Sequence, residues 1–452
     1  MTQDSASRAG VLKPRVACAS VLILAVSFAL YWYSPIQRPW SADNNDPADY
    51  RFVAEHFWGV PIVAATYAPR WNGGWGAYLR TVPFRGVGLG TLYLAVGWLR
   101  IGHAPSTPAE VLAAGTVVAS FLKILLAGAL LIVFEVVRRR WGAPIALLTL
   151  TLVAFPPQMW RFCNDFLAEP VERILFLLAF ACAVAMTRRE SIPAFAMTIT
   201  ALFLYAAHLK QQWYVAAFLL LPAILFQYRR AGIPFRKAVL LGAAALSIPL
   251  TLVAVNWIGW RTMSLSPGIG IHVNLKYHGD VVRSFGEDLA GQGRPLPAFA
   301  DPQRPRVEWW DIYVGDDVRP DAYDALDRYA TRYVRTHPGD AVHAFWEGIE
   351  LASSLPGIQR LDRGLVRLQP IEGWPAALIR YADRIIWALL FVGLAFDETR
   401  MACALALALW IVPAIGNIFS LYELRYHSPM AGVGAAAAVL VAARAARRKY
   451  EA

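Results

Sequence analysis

The chain has 452 residues, of which 57% are apolar and 17% charged, with a net charge of +11 and a mean hydropathy of +0.41. That hydropathy excludes an ordinary water-soluble domain of this length and makes a bilayer the expected solvent. The basic excess does not read as a nucleic-acid surface, because the arginines cluster at the ends of apolar runs, where they orient a membrane protein.

The first apolar run, 14–33, follows Arg8, Lys13 and Arg15 as a signal peptide would, but it is long and ends in aromatics rather than small residues. It reads as a retained first helix. Runs of suitable length to cross about 30 Å of hydrocarbon recur at 15–34, 110–136, 143–160, 171–187, 192–209, 212–227, 238–258, 380–396, 401–419 and 428–445. They are continuously apolar rather than alternating, which favours helices over a barrel. The expected fold is therefore an all-α polytopic membrane protein of about ten spanning helices, with juxtamembrane helices and a larger external loop region.

With the amino terminus inside, Arg138 to Arg140, Arg188-Arg189, Arg229-Arg230, Arg236-Lys237, Arg400 and the tail Arg444 to Lys449 all fall on the cytoplasmic side. This is the arrangement the positive-inside rule asks for, and it puts both termini in the cytoplasm of a cell inner (plasma) membrane protein. The run 84–101, with Gly86, Gly88 and Gly90, would invert that order if it spanned. It is expected to lie in, or re-enter, the outer interface. Three parts follow: an amino-terminal membrane module over 1–258 with its first external loop at 35–109, an external region over 259–379, and carboxy-terminal helices with a basic tail over 380–452. Within 259–379, the stretch 321–353 reads as two short helices broken at His337-Pro338.

Motifs for soluble-site chemistry are absent. There is no Walker A loop, HExxH, GxSxG or CxxC, and the four cysteines show neither metal nor disulfide spacing. Polar candidates gather instead at the outer ends of the apolar runs. The first external loop carries Asp43, Asp46 and Asp49, carboxylates suited to act as a general base at the bilayer surface or, equally, to cap and turn into the helix that opens at Tyr50. The second external connector has Asp165 and Glu169, one helical turn apart, which either line a site or complement the dipole of the next helix. Lys210, between two spans, either neutralises a phosphate or snorkels to the interface. Lys123, near the middle of its span, is an intramembrane charge and on that ground a candidate for function. The last external turn, Tyr422-Glu423-Leu-Arg425-Tyr426-His427-Ser-Pro429, sets an arginine fork and aromatics where they grip a phosphate, unless Arg425 simply pairs with Glu423.

The order of these features resembles the GT-C superfamily of polyprenyl-phosphate-sugar-dependent glycosyltransferases, which includes the protein O-mannosyltransferases and the aminoarabinose transferase of lipid A. The points of similarity are Asp46 four residues before Tyr50, a surface helix, the basic end Arg138 to Gly142, Pro156-Pro157, the acidic second loop with Asp165 and Glu169, Lys210, and the turn Glu423-x-Arg425-Tyr426-x-x-Pro429. They cover roughly 15–230 and 380–445. The family's Asp-Glu pair appears here as Asp46-Pro47, and Gln211 follows the basic position.

The resemblance implies an inverting transfer of a sugar from a polyprenyl-phosphate donor to a lipid, glycan or protein hydroxyl on the external, periplasmic face of the cell envelope. Asp46 would be the base, with Asp43 and Asp49 beside it. Lys210, Arg425, Tyr426 and Lys123 would be the candidates for holding the donor phosphate. No cofactor is certain: relatives differ in using a divalent metal, and these acids admit one without requiring it. Two other readings stand beside it. One is a transporter or lipid-linked sugar flippase with Lys123, Lys210 and Glu169 along its path, and the other a polysaccharide polymerase or ligase.

Overall fold

The computed structural model describes residues 14–32, 45–60, 86–154, 160, 162–164, 167–186, 189–261, 263–266, 287–288, 290–293, 328–329, 331–351, 357–360, 366–369, 374–419 and 430–451. Helices dominate: α1 Pro14–Trp32, α2 Asn45–Phe57, α3 Val87–Ile101, α4 Pro108–Trp141, α5 Ala143–Ala154, α6 Ala168–Ala185, α7 Ile192–Leu209, α8 Trp213–Arg230, α9 Phe235–Trp260, α10 Pro338–Leu351, α11 Trp374–Gly393, α12 Arg400–Phe419 and α13 Val433–Glu451. An antiparallel hairpin, β1 Gly357–Arg360 with β2 Val366–Gln369 in the register Gly357 to Gln369, departs from the all-α expectation.

Each of the ten apolar runs holds a helix. Among the described residues α4, α7, α9 and α12 are long and apolar enough to cross a membrane by themselves. The chain is a helical membrane protein, as its composition requires. α5 is shorter than its apolar run: 12 residues rise only about 18 Å, and positions 155–159 lie outside the described residues. α3, at 15 residues or about 22 Å, also falls short of a bilayer's 30 Å.

Local chemistry sets the helix ends. α4 starts at a capping box: the Glu110 backbone N–H donates to Thr107 Oγ1 at 3.3 Å, and the Thr107 N–H donates to Glu110 Oε2 at 3.1 Å, with Pro108 in the first turn. It stops at Gly142, with φ +88°, after Arg138, Arg139 and Arg140, whose charges complement the dipole. His337 lies between the helical residues 331–336 and α10, whose first residue is Pro338, a residue that fits the first turn but cannot continue a helix.

The ten helices alternate in direction, and two ends of the molecule result. At one end Arg230 and Arg400 share Asp397, each at 2.7 Å, Arg444 pairs with Glu398 at 3.1 Å, and Arg447 lies 4.9 Å over the Trp141 ring. The Arg140 guanidinium donates to the Val184 carbonyl. The start of α1 and the end of α13 lie at this basic end. At the other end are α2, α3, the α7–α8 turn, the start of α6, the end of α9 and α10, whose Ala344 carbonyl accepts from Asn417 Nδ2 at 2.6 Å. Between the two ends α6 and α12 are almost wholly buried, and small residues let helices meet closely. A Cβ on Gly393 would overlap the Cys403 thiol.

Candidate functional site

α6 enters the core carrying three charges in its first two turns. Glu169 and Glu172 are three residues apart and therefore share a side, and Arg173 points elsewhere. Its guanidinium donates to the Ala431 carbonyl at 2.7 Å and to the Val153 carbonyl, tying the end of α5 to the start of α13. Val153 lies in the last turn of α5, where carbonyls have no partner within their own helix. Gly432, with φ +79°, makes that approach: a side chain there would collide with the Leu152 carbonyl.

α7 ends at Lys210, whose extended backbone (φ −139°, ψ 119°) breaks the helix, and only Gln211 and Gln212 separate it from Trp213 at the start of α8. The tight turn aims both Lys210 and Trp213 at α6. Lys210 Nζ lies 2.9 Å from Glu169 Oε1 and 3.4 Å from Glu172 Oε2, and Trp213 Nε1 donates to Glu172 Oε1 at 2.8 Å. The two carboxylate side chains are 2% and 0% exposed, and Lys210 keeps 12%. Trp213 also packs edge-on against Phe176, one turn deeper in α6, at 4.5 Å between ring centroids. Burying charges this completely costs desolvation, which is offset here because the ammonium and the indole N–H both face the carboxylates. A phosphate seated at Lys210 would have to share the ammonium with this acid pair.

Gly86, which caps α3, and Gly88 and Gly90 within it link that cluster to α2. A Cβ on Gly86 would collide with the His208 and Leu209 carbonyls, two residues from Lys210; one on Gly88 would press on His208; one on Gly90 would overlap the Tyr50 carbonyl of α2. Gly86 and Gly90 are one turn, about 6 Å, apart along α3. The backbones of Tyr50 and His208 are thus both held against the same short helix. Within α2 Arg51 pairs with Glu55 at 3.2 Å, both side chains at most 4% exposed, and the helix is anchored further by His56 Nε2, 3.1 Å from the Gly259 carbonyl. Trp260 stacks on Phe57 at 6.2 Å.

The structure therefore brings Lys210 and Glu169 into direct contact and sets α2, which carries Asp46 and Asp49 in its first two turns, beside the same end of α7. The side chains of Asp46 and Asp49 lie outside the described residues, as do Asp43, Asp165, Arg425 and Tyr426 altogether. Lys123 is half-buried at the middle of α4, about 24 Å along the helix from Thr107, well below the level of the Lys210 cluster. Among the described residues no three metal-ligating side chains converge, and the Glu169–Glu172 pair already surrounds an ammonium, so it is not an open metal site. Glu172 and Trp213 are the members that sequence reading did not single out. The signal was the spacing Glu169-x-x-Glu172 at the start of a helix that is apolar after Arg173.

These features define a helical membrane protein with a buried acid–lysine cluster at the end opposite its basic clusters. No family model and no curated protein matches the chain. Two solved structures are similar in course. One is the archaeal oligosaccharyltransferase AglB from Archaeoglobus fulgidus, in complex with an inhibitory peptide and a dolichol-phosphate: 12% identity, TM-score 0.46, covering 95% of this chain and 50% of that one. The other is ArnT from Cupriavidus metallidurans in the apo state: 14% identity, TM-score 0.35, covering 93% and 78%. The chain spans about half the length of the archaeal protein. Neither similarity is close enough to carry over an activity or a residue role.

Proposed function

We propose that this chain is a membrane glycosyltransferase of the GT-C type, moving a sugar from a polyprenyl-phosphate donor to an acceptor hydroxyl at the end of the molecule opposite its basic clusters. The observation that supports it most is the joining, through the glycines of α3, of the Asp46-bearing helix α2 to the turn that presents Lys210. These are the two motifs whose order along the chain carried the resemblance. In this reading the basic end and both termini face the cytoplasm of an inner-membrane protein, and the reaction occurs on the external face.

Asp46 takes the proton of the acceptor hydroxyl as that oxygen bonds to the anomeric carbon. The bond from this carbon to the phosphate oxygen breaks on the opposite face, with inversion, and the polyprenyl phosphate leaves with the electron pair. Lys210 receives the developing phosphate charge, exchanging its contact with Glu169 for the anion while Glu172, fixed by Trp213, keeps the ammonium in place. Arg425 and Tyr426 hold the phosphate from the last external turn. Lys123, several helical turns below along α4, is too deep to share that phosphate with Lys210.

The test uses the full-length protein in proteoliposomes with a membrane lipid extract as acceptor, comparing radiolabelled polyprenyl-phosphate sugars with the corresponding nucleotide sugars. Label should move to the acceptor from the lipid-linked donors alone. Transfer from nucleotide sugars, or none from any lipid-linked sugar in an active preparation of membranes containing the protein, would remove the proposal.

A further inference from the structure

A cavity of about 780 Å³ lies between α10, α11 and α12, lined by residues outside the cluster described above. Along α11, Arg380, Arg384, Trp387 and Phe391 recur at spacings of four, three and four, which sets them on one face. The arginines occupy the part nearer the outer end of the helix. Phe391 lies about 10 Å deeper than Arg384. Phe345 and Trp346 of α10 and Ile411 of α12 complete an apolar wall. The cavity thus carries its charged groups, Arg380 and Arg384 with Asp383 between them, at its outer part and aromatic rings below, the polarity of a membrane amphiphile standing head outward.

The two arginines offer a place for an anion. Among the described residues neither Arg380 nor Arg384 forms an ion pair; Arg384 lies 5.8 Å from the Tyr381 ring centroid. Two carboxylates also line the space: Asp383, which is buried and engaged in an interaction of its own, and Glu350, which is exposed on α10. The adjoining face of α11 is exposed and apolar at Leu378, Ile385 and Val392, which leaves the cavity bordered by a surface suited to hydrocarbon. Two guanidinium forks about 6 Å apart suit the several oxygens of a phosphate better than a single carboxylate.

We propose that this cavity binds an anionic glycerophospholipid, its phosphate on Arg380 and Arg384 and its acyl chains along Trp387 and Phe391. The site is separate from the proposed reaction, since Lys210 and α2 do not line it. It gives the external helix α10 a lipid-dependent contact with α11.

The full-length protein in detergent, incubated with phosphatidylglycerol bearing a photoactivatable diazirine on one acyl chain and then illuminated, should be labelled on peptides from α10, α11 and α12. Diacylglycerol with the same chain and no phosphate should label them at least tenfold less. Excess dioleoylphosphatidylglycerol should compete, and the double variant Arg380→Gln with Arg384→Gln should lose at least tenfold of the labelling there while labelling of the exposed face of α9 is unchanged. Equal labelling by the two probes, or full labelling of the double variant, overturns the proposal. So does undecaprenyl phosphate displacing the probe where phosphatidylglycerol does not, which would make the cavity a donor site. Should the double variant fail to fold, the two probes on the unaltered protein decide alone.

Discussion

Lys210 Nζ sits 2.9 Å from Glu169 Oε1, a contact between residues 41 positions apart that joins the α7–α8 turn to the start of α6. The ammonium is held by acids on a neighbouring helix, with Glu172 as its second partner at 3.4 Å, and it does not simply snorkel toward water.

This arrangement makes the three residues interdependent. Removing one partner of a buried ion pair leaves the other charge uncompensated and costs about 3–5 kcal/mol. Glu172→Ala, which also strands the Trp213 indole N–H, should lower the unfolding midpoint more than Glu169→Ala, because Lys210 and Trp213 both bond Glu172. Lys210→Met should cost more still, since it leaves both carboxylates without a cation, and adding Glu172→Gln to it should recover part of that loss. Thermal unfolding in detergent checks this, and additive losses would show that the cluster is not coupled.

The glycine contacts give a sharper structural test. Gly90→Ala and Gly86→Ala each drive a methyl group into a neighbouring backbone carbonyl, which cannot move aside as a flexible side chain would. Both should sharply reduce the yield of folded protein. Gly128→Ala, in the interior of α4 with open space around the added carbon, should be neutral or stabilising by about 0.5–1 kcal/mol. Monodispersity on gel filtration and the unfolding midpoint distinguish these outcomes. An unaffected Gly90→Ala protein would contradict the packing of α3 on α2.

The alternation of helices predicts sidedness. A cysteine introduced at Val342 of α10 should react with an impermeant thiol reagent only from the outside of intact cells, and one at Arg139 only after the membrane is opened. Both positions are exposed. Labelling of both from the same side would break the alternating order.

Much of this fold was legible because the bilayer constrains it: continuous apolar runs with basic ends have few alternatives to helices that alternate in direction. The break at His337-Pro338 was legible for an equally local reason, the steric demand of proline. The hairpin at 357–369 was not, since two four-residue strands carry too little pattern to stand out. At the site, Lys210 and Glu169 were each visible as charges at helix ends, but their mutual contact depends on how α6 packs against the α7–α8 turn, which no local signal encodes. Glu172 was hidden by its ordinary place in the opening turns of a helix, where acids favour the dipole whether or not they have a partner. The three glycines were visible as a feature of α3, but which backbones they admit depends on α2 and α7 being its neighbours.

The most direct test of the central claim is the rate of sugar transfer from a labelled polyprenyl-phosphate donor by Asp46→Asn, measured beside Asp43→Asn and Asp49→Asn. Asparagine is nearly isosteric with aspartate but cannot take a proton at neutral pH, and general base catalysis typically contributes about 100- to 10,000-fold. Asp46→Asn should lose at least about 100-fold in rate with an unchanged unfolding midpoint, whereas the other two, as turn or capping residues, should lose about 1 kcal/mol of stability at most and keep most of their activity. An active Asp46→Asn beside an inactive Asp43→Asn or Asp49→Asn would contradict the assignment of the base.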